Sequence, residues 1–135
     1  MSSEALGHFV LPAMKQLYQR IPQLTAAVLC TPDGFNICSF GLDEKQVGKL
    51  AALSGSLLSV GNATMAELRL GLDEPMDLLM LKAGTFQILG LKVPKPDGHL
   101  VLMVAAKNTM LGLMIVGAQY VAGEIEKLFR AEAQT

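Results

Sequence analysis

Charge is scarce in this sequence. Asp, Glu, Lys and Arg make up 17% of 135 residues, 12 acidic against 11 basic, for a formal net charge of −1. The charges are dispersed, so no basic stripe exists to hold nucleic acid or an anionic membrane surface. Arginine occurs at Arg20, Arg69 and Arg130. All three fall at expected helix ends, not on an exposed loop from which an arginine finger reaches a phosphate. Histidine is confined to His8 and His99. With two strand cysteines, they fall short of the three or four convergent ligands a metal site requires. The GxxxxGK[ST], GxGxxG and G-x-S-x-G patterns are missing. The acid pairs Asp43-Glu44 and Asp73-Glu74 sit at element ends, where capping or solvation accounts for them. The sequence therefore predicts neither catalysis nor a cofactor nor a metal.

Long apolar runs are missing too. Leu50 to Ala66 is uncharged but holds three Ser, two Gly, one Asn and one Thr. The run from Leu100 to Gly123 is broken by Lys107-Asn108-Thr109. Neither supplies the roughly 20 consecutive apolar residues that span a bilayer. The N-terminus lacks a basic region followed by an apolar one, so a secretory signal is not expected. The reading is a cytoplasmic protein without membrane insertion. Cys30 and Cys38 flank a predicted turn with an offset of roughly 7–10 Å at strand rise. That is beyond disulfide reach, and buried free thiols are expected.

What is present is apolar: 51% of the residues are hydrophobic, enough to exclude disorder. The length suits one domain spanning residues 1–135, with its core over about 6–130. Leu6, Val10, Met14, Leu17 and Ile21 make a helical stripe. Pro12 requires that helix either to start nearby or to kink. Thr25–Cys30 and Phe35–Phe40 read as a hairpin about Thr31-Pro32-Asp33-Gly34. Met76–Lys82, Phe86–Val93 and His99–Ala106 read as a three-strand meander, apolar on both faces, so helices should cover both sides. A last helix is expected over Met110–Ala131, with Met110, Leu111, Met114, Ala118, Val121, Ala122, Ile125, Leu128 and Phe129 inward and a frayed tail after Arg130. The predicted fold is an α/β sandwich of order α-β-β-α-β-β-β-α, with a central five-stranded antiparallel sheet.

Between hairpin and meander, Asp43 to Gly71 reads as one long helix with Asp43 as N-cap. Val47, Leu50, Ser54, Leu57, Leu58, Gly61, Met65 and Leu68 form its expected inner stripe. Gly48, Ala52, Gly55, Ser59, Ala63 and Ala66 form a second stripe about 140° away. Each interior glycine costs a helix about 1 kcal/mol relative to Ala, so Gly48, Gly55 and Gly61 ask for a compensation such as close approach of another backbone. Met76 to Leu81 ends its meander, and an apolar edge strand is an aggregation hazard unless paired or covered.

The element order and the segment Val28 to Leu53, VLCTPDGFNICSFGLDEKQVGKLAAL, resemble the roadblock / dynein light-chain family, including its bacterial MglB-like members. The passage from Asn108 to Met114, with its Leu-Gly-Leu, is similar to the family's lead into the last helix. The resemblance covers about Leu17 to Phe129. It implies a dimer with third strands paired edge to edge and second helices side by side. It also implies an adaptor or regulator of small Ras-like GTPases, without catalytic residues of its own, serving signalling or motility complexes. By position, Met76, Asp77, Leu78, Leu79 and Met80 would pair across the two-fold. Gly48, Ala52, Gly55, Ser59 and Ala63, with Ala66 of the same stripe, would lie near the partner helix or a docked GTPase. A second reading is a profilin-like or sensor-type domain holding a small ligand, with Ser39, Thr85 and Gln87 as polar candidates.

Overall fold

The computed structural model describes residues 2–68 and 76–134. Helix α1 (Ser3–Arg20) is followed by strands β1 (Leu24–Cys30) and β2 (Asn36–Phe40), then α2 (Glu44–Leu68). Strands β3 (Leu79–Ala83), β4 (Phe86–Lys95) and β5 (Gly98–Lys107) lead into α3 (Leu111–Ala133). The strands form one five-stranded sheet in the order β2-β1-β5-β4-β3, antiparallel throughout. This is the predicted sandwich.

Local chemistry sets the boundaries. Helix α1 starts well before Pro12, because the Ser2 side chain caps it by accepting from the Ala5 N–H at 3.1 Å. Pro12 lies inside the helix, where it costs the bond its missing N–H would have made one turn back. In the β1–β2 turn, the Thr31 Oγ1 accepts from the Phe35 N–H at 2.9 Å and Gly34 takes φ 101°. Phe35 is in the turn, 66% exposed, instead of in the strand. Gly41, at φ 75°, passes so close to the Thr25 carbonyl that a Cβ would collide with it. Asp43 caps α2 in a reciprocal box: its Oδ1 accepts from the Gln46 N–H at 2.7 Å, while the Gln46 side chain accepts from the Asp43 N–H at 3.1 Å. Helix α3 runs to Ala133, past the expected fraying point. The expected helix end at Gly71, Arg69 and the pair Asp73-Glu74 lie outside the described residues.

Alternation along the strands divides the core in two. Leu29, Leu89, Leu91, Leu102 and Val104 pack beneath α1 and α3 with Val10, Leu17, Met114, Val121 and Ile125. Val28, Cys30, Val101 and Met103 face α2 and meet Val47, Ala51 and Leu58. Both cysteines are buried and free, and Cys30 pairs with Asn36 while Cys38 pairs with Leu29 across a bulge. Burial pushes both thiols above their ordinary pKa, against a smaller opposing effect of the Ser54 hydrogen bond at Cys30. They are inert packing groups.

Candidate interaction face

Helix α2 carries buried Val47, Ala51, Ser54 and Leu58, and none beyond. Ten residues follow Leu58 in the helix, about 15 Å at helical rise, and this end overhangs the sheet edge. Of the expected inner stripe, Met65 is 42% and Leu68 62% exposed. At the head of α3, Met110 is 73% exposed and Leu111 is exposed as well, both outside the core. Buried Ala51, which the expected stripe did not include, shows the direction of the offset. The core face is rotated from the apolar stripe by part of a turn. Leu57 and exposed Val60 thus turn to the flank above β3, and exposed Leu53 and Leu68 project to the same side of the helix.

That flank and β3 enclose a groove of about 660 Å³. Leu57, Val60, Gly61, Thr64 and Met65 form its α2 wall, Met76 to Leu81 its floor, and Gln119 of α3 its far rim. The chain enters β3 under control of Asn62, whose Oδ1 accepts from the Met76 N–H at 3.0 Å. At Gly61 the two segments touch: a Cβ would stand 2.7 Å from the Met76 Sδ, and the flexible end of that methionine would have to yield.

Strand β3 is an edge strand with Met80 and Leu81 both exposed. The direction of its free backbone groups follows from register. The Asn108 N–H donates to the Thr85 carbonyl at 2.9 Å. Alternation along β4 then points Gln87 and Leu89 at β5, and Phe86, Ile88 and Gly90 at β3. Their partners Ala83, Leu81 and Leu79 point inward. Met80 and Lys82 direct their N–H and C=O groups out of the sheet. Leu79 and Leu81 share the α2 side, since Leu81 pairs with Ile88 of the α2-side core. Met80 shares the α3 side, opposite Leu89.

The small-residue stripe is elsewhere. On the helix projection, Gly48, Ala52, Gly55, Ser59, Ala63 and Ala66 lie roughly half a turn from the groove wall. Near its middle this stripe meets the chain's own β1–β2 turn. A Cβ on Gly55 would run into the Pro32 carbonyl, and one on Gly34 would come 3.2 Å from the Ala52 Cα. The backbone approach that the glycines foretold is real, but at Gly55 its partner is in the same chain. Gly48 faces open space. The structure thus brings Met76, Asp77, Leu78, Leu79 and Met80 together at the groove and places the six small residues on another flank. The α2 wall residues at that groove were missed as site residues; their signal was the three- and four-residue spacing of Leu57, Val60, Gly61 and Thr64.

The polar candidates for a small ligand do not converge. The buried Gln87 side chain donates to the Thr109 carbonyl at 2.7 Å, and Thr109 in turn bonds the Pro22 carbonyl. Thr85 is exposed, and none of Ser39, Thr85 and Gln87 lines the groove. Among the described residues no cluster of His, Cys, Asp and Glu could hold a metal, and no helix is long and apolar enough to cross a membrane.

No family model matches the chain, and no curated protein matches it in sequence. Solved structures do. A roadblock/LC7 domain from Streptomyces avermitilis is 25% identical with a TM-score of 0.71, over 91% of this chain and 96% of that one. MglB from Myxococcus xanthus is 16% identical with a TM-score of 0.76, over 93% and 90%. The gliding protein MglB from Thermus thermophilus is 11% identical with a TM-score of 0.76, over 94% and 93%. The chain has the roadblock/LC7 fold.

Proposed function

We propose that this protein is a non-enzymatic, cytoplasmic roadblock-type module that self-associates through the β3 edge and the overhanging flank of α2. As a homodimer it would bind and regulate a small Ras-like GTPase, or scaffold a signalling or motility complex. One observation carries the self-association: among the described residues, a strand edge without a partner opens directly into an apolar groove walled by Leu57, exposed Val60 and exposed Met65. An apolar edge of this kind is a liability unless paired, and a second copy satisfies its backbone and its side chains together. The likeness to MglB structures supports the GTPase assignment.

The GTPase assignment is tested by titrating purified chain into a Ras-like GTPase in its GTP- and GDP-bound forms, following complex mass and hydrolysis rate. The expected result is a complex of one chain dimer with GTPase, selective for one nucleotide state. Absence of binding in both states overturns that half of the reading and leaves the scaffold.

A further inference from the structure

Resting on the dimer reading above, we propose the register of self-association: the two-fold axis passes beside Met80, so that Met80 of one copy lies directly opposite Met80 of the other. Three constraints lead there. A two-fold along the sheet normal keeps both α2 helices on one side of the joined sheet. It makes facing residues share a face, so the axis must pass beside a single residue and not between two. Next, the level is set by α2. Its exposed flank runs from Leu53 to Leu68, and its midpoint falls at residues 60–61. A Cβ on Gly61 would stand 3.9 Å from the Leu79 Cδ1. The centre of the flank therefore stands over Met76 and Leu79, at the entry to β3, which disfavours an axis at Leu81.

The side chains decide between the remaining two. An axis at Leu79 sets exposed Asp77 opposite Leu81 on the apolar α2 side. An axis at Met80 sets Leu79 opposite Leu81 twice over, beneath the helices, and gives Lys82 the stem of Leu78 to lie against. It also uses the free edge fully, since Met80 presents its N–H and C=O outward and can exchange both with its symmetry mate. The α2 helices then run antiparallel. Exposed Lys49 and exposed Glu67, on the same side of the helix, face the oppositely charged end of the other copy.

Cysteine cross-linking reads the register. Directly opposed residues have Cα atoms about 4.5–5.5 Å apart, within disulfide reach, whereas positions offset by two residues are not. Under mild oxidation, Met80→Cys should form a covalent dimer. Leu79→Cys and Leu81→Cys should each stay uncrosslinked alone and cross-link when the two variants are mixed. The native chain, with Cys30 and Cys38 buried, is the control and should run as a monomer on non-reducing gels. Sedimentation of each variant is run beside the gels. A dimer in which Leu79→Cys or Leu81→Cys cross-links with itself, or the mixture fails to, overturns the register and leaves the dimer standing. Native chain that sediments as a monomer overturns both.

Discussion

Gly48 and Gly55 are seven residues apart on one helix and look alike in sequence, yet their surroundings oppose each other. At Gly48 there is open space; at Gly55 a Cβ meets the Pro32 carbonyl. Gly48→Ala should stabilise the chain by about 0.5–1 kcal/mol, the helix-propensity gain. Gly55→Ala should destabilise it by about 1–3 kcal/mol through overpacking against backbone. Urea denaturation of the two variants checks this, and equal effects would contradict it. At His99, burial first, then Lys92 and Lys95, hold the folded-state pKa below its ordinary value of 6.5. The unfolded chain therefore takes up the proton first. The stability tied to neutral His99 is present above that ordinary value and is lost as pH falls through it toward the depressed folded one. His99→Gln should flatten the stability profile across that window, measured as the denaturation midpoint against pH.

At the scale of elements, the Gln87–Thr109–Pro22 chain joins β4, the lead into α3 and the end of α1. Gln87→Leu keeps the bulk but leaves the buried Thr109 carbonyl without its donor, which should cost about 1–3 kcal/mol. Thermal or chemical denaturation reads the loss. Gln87 also shows what sequence reading could not resolve. A polar residue on an apolar strand signals that something must receive its hydrogen bond, but not whether that something is a ligand or a carbonyl 22 positions away. The long helix teaches the same lesson. Its start, its Asp43 cap and its two stripes were legible, because they depend on spacing and on local hydrogen bonds. The inward stripe was legible over its first half, where Val47, Ser54 and Leu58 are buried, but not where it leaves the core, because periodicity orders residues relative to one another and not relative to a sheet. Ala51 is buried and Leu68 exposed for reasons of overhang that only the packed molecule contains. The sheet edge was better foretold: the apolar strand that opens the meander lies at an edge, as its place suggested, although it begins at Leu79 and not at Met76.

For the molecule as a whole, the two interaction features expected from sequence separate. One is a groove beside a free strand edge, in which Val60, Met65, Met80 and Leu81 are exposed while Leu57, Met76, Leu78 and Leu79 also pack against the core. The other is a small-residue flank that partly serves the chain's own hairpin turn. The central claim is that the first of these is the self-association surface. It is tested most directly by sedimentation velocity of the native chain and of Val60→Glu at tens of micromolar. Val60 is 63% exposed, so the charge should change the chain's own stability by no more than about 0.5 kcal/mol. A native dimer and a folded, monomeric variant are expected. A native monomer, or a variant that remains fully dimeric, would contradict that claim.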